Sequence, residues 1–301
     1  MRVNTLVSGL LVLLAAVAVQ AQDEATPPKW NTTLVTDLTL TQTSYSNSWV
    51  GGEAGSVNWV WNLDGTAERQ FSPKANFKST LRLKFGQTLT QDAETRDWAK
   101  PKKSTDLIDW EHVLRLTIGG PVDPYAAFRV ESQFFDGSVP AKRLYLSPLK
   151  LTESFGIARQ FYSQADQTVT SRLGLAIRQI FKTSIVDPVT LTTEDSTITD
   201  GGLEWVTDAT LQLSENIRYV GKLGVFKALF SSESDRKHPL GERETGTHWS
   251  SPDINWETTI TASVSKIIGV SLYTQLLYDK DTDKRARLKE TLALGFTFKM
   301  L

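Results

Sequence analysis

Along most of the chain apolar and polar residues alternate with a period of two. Phe77, Leu81, Leu83 and Phe85 share one phase, while Lys78, Arg82 and Lys84 share the other. Successive side chains on a strand point to opposite faces, so this stretch predicts a strand with one oily face and one cationic face. A helix would scatter the same residues around its axis. The pattern recurs from Trp30 to Thr41, Ser56 to Asp64, Ile108 to Ile118, Ala126 to Phe134, Leu149 to Ile157 and Val169 to Phe181. It returns from Leu203 to Leu213, Ile217 to Leu229, Ile254 to Val264, Val270 to Tyr278 and Leu288 to Phe298.

These stretches make about twelve strands, an even number. Their connections alternate in length. Ser44 to Ala54, Thr90 to Ser104, Asp136 to Pro148, Lys182 to Gly201 and Ser231 to Ser251 read as long polar loops. The connections between them are short, such as Gly119-Gly120-Pro121-Val122-Asp123-Pro124 and Ser214-Glu215-Asn216. The predicted fold is therefore all-β, an antiparallel up-and-down transmembrane β-barrel with both termini on the short-turn side. A soluble sandwich has no reason to sort its loops this way.

The N-terminus sets the address. Arg2 followed by the apolar run Leu10 to Val17 and the small-residue site Val19-Gln20-Ala21 reads as a secretory signal over 1–21, cleaved near Ala21. Residues 22–301 then form the barrel domain, and the expected location is the cell outer membrane. Outer-membrane lipid and, during biogenesis, the barrel-assembly machinery are the expected partners. With 33 Lys and Arg against 34 Asp and Glu, the charge balance argues against nucleic-acid binding. The chain has no Cys, which excludes disulfides, thiolate metal sites and a lipidated cysteine.

Tryptophan position adds a second pattern. Trp59, Trp61, Trp110, Trp205 and Trp256 lie a few residues into strands that leave the long loops, all in the apolar phase. They predict an outer aromatic girdle at the membrane interface, with Trp30, Phe77, Phe128, Tyr219, Phe296 and Phe298 as the inner one.

Several short motifs add a resemblance. Asn47 to Gly52, Lys102-Lys103-Ser104-Thr105-Asp106, Glu131-Ser132-Gln133-Phe134 and Leu146-Ser147-Pro148 are among them. Ser214 to Ile217, Tyr278 to Asp281 and Lys289 to Phe296 continue the series. In order and spacing the chain resembles an uncharacterised bacterial outer-membrane family, domain of unknown function 3078. The resemblance implies an outer-membrane barrel and gives no activity. One departure is the C-terminus: such barrels commonly end on an aromatic residue, and this chain ends on Leu301.

Candidate chemistry lies first in the lumen. The polar phase places Lys78, Arg82, Lys84, Arg115, Arg129, Arg172, Arg178, Arg218, Lys222, Arg287 and Lys289 inside, against Asp109, Glu111, Glu131, Glu204, Asp208 and Glu257. Two readings stand. Paired charges fill the interior and hold the barrel rigid, or a narrow water-filled pore passes anions along its Arg and Lys. The small solute, if any, is unspecified.

A hydrolase is the alternative. His112 falls in the lipid-facing phase. A hairpin centred on Val122 would set it across from Ser132, with Glu153 on the far side, giving a base, a hydroxyl and a carboxylate. Glu290 also falls in the apolar phase, and a β-bulge beside Lys289 is expected to turn it inward. His238 and His248, with Asp235, Glu242 and Glu244, match no metal-ligand spacing, and no phosphate loop or cofactor motif occurs. A receptor or docking surface on the outer loops would use Trp49, Trp98 and Trp249.

Overall fold

The computed structural model describes residues 29–46, 53–164, 167–232, 248–280 and 283–299. The signal stretch, Trp49, His238 and the acidic residues near it lie outside the described residues, as do the His248 side chain and Leu301.

Twelve strands close into one antiparallel barrel. They are β1 (Asn31–Thr43), β2 (Ser56–Ser72), β3 (Ala75–Thr90), β4 (Lys102–Leu116), β5 (Asp123–Ser132) and β8 (Leu149–Gln164), followed by β9 (Gln167–Asp187), β10 (Thr192–Ser214), β11 (Ile217–Ser231), β12 (Asp253–Ser263), β13 (Ile268–Asp279) and β14 (Asp283–Lys299). The short pair β6 (Phe135–Asp136) and β7 (Leu144–Tyr145) forms a separate ribbon in the loop between β5 and β8. Each strand pairs with its neighbour in sequence, and β1 closes on β14. That closing seam is short, running from Val35 opposite Lys299 to Leu40 opposite Leu294.

The distribution of side chains is inverted relative to a soluble protein. Leu288 and Leu292 are 68% and 63% exposed on the outer face, with Phe155, Leu173, Leu203, Trp205 and Trp256 also exposed there. Inside, Asp109 is 2% exposed, and Arg172, Glu111 and Glu257 are buried. An apolar exterior around a charged interior is stable only where the surrounding medium is itself apolar. A closed barrel also leaves no strand edge unpaired in lipid. Among the described residues no helix is long and apolar enough to cross a membrane.

Close approach is visible where β8 meets β9. Gly156 and Gly174 are directly opposed. A Cβ on Gly156 would stand 2.2 Å from the Leu173 carbonyl oxygen, and one on Gly174 would stand 2.7 Å from the Tyr125 hydroxyl. Glycine lets the two strands and the buried Tyr125 ring pack in this space.

Three expectations are corrected. Lys182 to Gly201 is not a loop: β9 and β10 continue as a ribbon to a turn at 188–191. Thr183, Thr193 and Thr197 keep the ladder although neither face is oily, because β-branched residues suit strands without apolar alternation. Glu290 pairs with Thr274 in unbroken register, so no bulge turns it, and it stays exposed between Leu288 and Leu292. The β4–β5 hairpin, third, pairs His112 with Phe128 rather than with Ser132.

Candidate functional site in the charged lumen

Direct cross-strand partners point to the same face, so one inward residue fixes its neighbours. Asp64, Arg82, Asp109 and Glu131 form one such inward row across β2, β3, β4 and β5. Asp109 is its centre. Arg82 Nη2 lies 2.5 Å from Asp109 Oδ2, and Arg129 Nε lies 2.7 Å from Oδ1. Arg129 also reaches Glu131 at 3.0 Å, and Lys150 meets the other Glu131 oxygen at 2.6 Å. A carboxylate this deeply buried needs such partners, because an unpaired buried charge is strongly unfavourable.

The network then crosses the barrel. Lys222 on β11 reaches Glu111 on β4 at 3.2 Å, and Arg172 on β9 reaches the other Glu111 oxygen at 2.7 Å. Arg82 and Lys84 on β3 both reach Glu257 on β12, at 3.5 and 3.4 Å. Lys84 also lies over the Tyr273 ring, 4.5 Å from its centroid, and the Tyr273 hydroxyl donates to Glu257. These strands are not neighbours in the barrel, so the side chains meet through the lumen itself.

One wall differs. Asp64 shares its rung with Arg82, and the charges of Lys84 and Arg82 act on it through space, yet its side chain is exposed to solvent and among the described residues no hydrogen bond or ion pair holds it. Asp37, the adjoining inward carboxylate on β1, accepts one hydrogen bond from Asn62 Nδ2 at 2.7 Å. Water therefore reaches the β1–β2 wall at the level where the opposite side is packed with ion pairs.

Above the network a cavity of about 1000 Å³ opens on the long-loop side. Arg178 forms part of its floor, bound to Asp200 at 3.0 Å and Asp253 at 2.6 Å, with its guanidinium over the Phe226 ring. The rim is tied by the resemblance motifs. Lys103 Nζ bonds to Asp106 at 3.0 Å and Gln133 Oε1 at 2.7 Å. Asp106 accepts the Phe134 amide at 2.7 Å, and Gln133 Nε2 donates to the Ser147 carbonyl. Farther along the rim, outside the membrane-crossing strands, the amides of Thr95 and Glu94 hold the Asp92 carboxyl below its usual range.

The remaining lumen residues are peripheral. Arg115 approaches Asp123 at 3.8 Å near the short turns. Lys78 stands opposite Glu68, and Arg218 lies exposed at the start of β11. Glu204 lies opposite Phe226 on β11, Arg287 lies opposite Leu277 on β13, and Lys289 donates to Thr105 Oγ1 at 2.7 Å. Asp37, Asp64, Tyr273, Asp200 and Asp253 were not singled out by sequence. The parity of the two β1–β2 aspartates was readable, but their access to water was not. Among the described residues no group of His, Asp and Glu could hold a metal ion.

On the outer face, Trp110, Trp205 and Trp256 are exposed, and Trp59 and Trp61 are half-buried. Three indoles donate to a hydroxyl on the adjoining strand: Trp61 to Thr36 at 2.9 Å, Trp110 to Ser79 at 3.1 Å and Trp205 to Ser171 at 2.8 Å. Each bond satisfies a polar pair that would otherwise face lipid. Trp98 is 49% exposed on its loop, whereas Trp249 packs against Ala176, Phe226 and Ala228.

The hydrolase arrangement is not formed. The β4–β5 ladder pairs Ile108 with Ser132 and His112 with Phe128. The hairpin is thus centred on Gly120 rather than Val122, and Gly119 takes the positive φ of 75° that the turn requires. Ser132 Oγ donates to the Pro148 carbonyl at 3.0 Å. Glu153 lies opposite Phe128, which separates it from His112. The His112 ring stacks on Phe128 and Phe77 and meets Trp110 edge-on at 4.6 Å.

Residues 40–137 match the family described as a protein of unknown function, DUF3078. This is the family that the sequence motifs resemble. No curated protein matches in sequence. An outer-membrane channel from Pseudomonas putida F1 is 12% identical, with 93% of this chain and 98% of that one covered and a TM-score of 0.41. The translocator domain of the autotransporter NalP from Neisseria meningitidis is 11% identical, with 97% and 96% covered and a TM-score of 0.33. The β domain of the Bordetella autotransporter Brka is 10% identical, with 89% and 98% covered and a TM-score of 0.33. At these scores the likenesses carry nothing about activity.

Proposed function

We propose that the protein is an outer-membrane barrel with a narrow, largely occluded lumen that passes small cations along its β1–β2 wall. The carrying observation is the contrast within one rung. Arg82 is neutralised by Asp109 and Glu257, whereas Asp64 beside it faces water and forms no ion pair among the described residues. Lys84, Arg129, Arg172 and Lys222 are likewise held by carboxylates at this level. At this level the anion preference expected from the inward Arg and Lys is offset, because these five cations each meet a carboxylate. Accessible carboxylates along a constriction favour cations. Twelve strands lie between the eight whose side chains fill the interior and the sixteen or more that leave a wide channel, which fits a lumen part filled and part wet.

Export through a cleaved signal and residence in the outer membrane belong to the same reading. The lipid-facing exterior and the placement of the long connections on one side of the barrel support it.

The test is conduction in planar bilayers. The purified barrel should show small, steady currents whose reversal potential under a KCl gradient lies toward that of potassium. Asp64→Asn should move it toward zero. Bilayers that stay closed at every voltage, or currents carried by chloride, would overturn the reading.

A further inference from the structure

Two arginines point outward near the short-turn end of the barrel, and among the described residues no acid pairs with either. Arg69 on β2 lies opposite Phe77, on the lipid-facing phase. Its guanidinium lies 5.7 Å from the Trp30 ring and 5.4 Å from the Phe71 ring. Trp30 meets Phe71 and Phe77 edge-on at 5.9 and 6.2 Å, so the rings form one cradle. The Arg69 Nε is buried without a partner, while Trp30 and Phe71 remain 44% and 50% exposed. Arg159 on β8 repeats the device. It is opposite the outward Ser171, exposed, with its guanidinium 5.3 Å from the Phe161 ring. Neither arginine forms an ion pair or hydrogen bond among the described residues.

An arginine whose stem lies on rings at the edge of an apolar belt places its charge at headgroup depth. Its planar fork matches two oxygens of one phosphate. We propose that Arg69 and Arg159 are binding sites for the phosphodiester headgroups of membrane phospholipids on the short-turn side, with the acyl chains lying against the neighbouring aromatic rings. The rings supply the apolar contact that a free anion could not use. The two sites stand on different strands, so each carries the inference independently.

Native mass spectrometry of the detergent-extracted full chain with added phosphatidylglycerol tests this. Wild type should retain lipid, and Arg69→Gln and Arg159→Gln should each weaken retention about fivefold, the effect of one cation at an anionic lipid surface. Arg69→Lys should fall between, because it keeps charge without the fork. Diacylglycerol, which has chains but no phosphate, should be retained equally weakly by all forms. Folding of each variant is checked by the heat-dependent shift in gel mobility. Equal retention of phosphatidylglycerol by wild type and both variants overturns the proposal. So does wild type that retains diacylglycerol as well as phosphatidylglycerol. Inorganic phosphate alone should leave the thermal transition unmoved. A phosphate-dependent shift lost in the variants would assign the arginines to a free anion and overturn the lipid source.

Discussion

Lys222 on β11 and Glu111 on β4 meet at 3.2 Å across the lumen, although neither strand borders the other. Both side chains are largely buried, so each is costly without its counterion. Their contact joins two walls that the backbone ladder connects only the long way round. Lys222→Met and Glu111→Gln should therefore be coupled. A double-mutant cycle read from thermal unfolding of the folded band should give an interaction of about 1–3 kcal/mol. Additive effects would mean that Arg172 alone satisfies Glu111.

The wall-to-wall contacts mark where sequence stops being informative. Parity along each strand shows which residues face inward, and Arg82, Asp109 and Glu257 all carry that signal. It cannot show that Arg82 meets Glu257, because the meeting depends on barrel circumference and shear rather than on either strand. Register failed for a local reason. The β4–β5 connection was read around Val122, but Gly119 at positive φ and Pro124 without an amide start the ladder from Arg115 opposite Tyr125. The shift is even, so His112 kept its outward face and lost only its proposed partner. The β9–β10 ribbon was missed because its threonines support pairing without the oily alternation that marks a membrane strand.

Asp106 orders the rim by accepting the amides of Phe134 and Phe135 at 2.7 and 3.2 Å. Both bonds go to a charged acceptor that is 3% exposed, so little water competes. Asp106→Ala should release the segment from Gln133 to Pro148 while leaving the barrel closed. Amide exchange of Phe134 should accelerate by about thirtyfold, the equivalent of ~2 kcal/mol for bonds to a charged group. Unchanged protection would show that Lys103 and Gln133 hold the rim without it.

Gly174→Ala tests the close approach of β8 and β9. The added methyl would stand 2.3 Å from the Phe155 carbonyl oxygen and 2.7 Å from the Tyr125 hydroxyl, and the carbonyl cannot yield without shifting its strand. A loss of about 1–3 kcal/mol is expected, the range for overpacking a filled interior. Tyr125→Phe combined with Gly174→Ala should recover only the smaller part of that loss, because the backbone clash remains. Thermal unfolding of Gly174→Ala and of the double variant decides between the two obstructions.

Glu257 is the acid that silences two cations at once. Arg82 reaches its Oε2 at 3.5 Å and Lys84 at 3.4 Å. Arg82 keeps Asp109 as a second counterion, whereas Glu257 is the one carboxylate within ion-pair distance of Lys84 among the described residues. Glu257→Gln preserves shape and a hydrogen-bond acceptor but removes the charge, leaving Lys84 as a free cation beside the water-accessible Asp64 wall. The charge facing the lane then moves from negative toward neutral. Under the KCl gradient that reports cation preference in the wild type, the reversal potential of Glu257→Gln should shift toward that of chloride. Asp64→Asn combined with Glu257→Gln should carry it further and leave anions with the larger share of the current. A reversal potential identical to wild type in both variants would place Lys84 and Asp64 outside the conducting path.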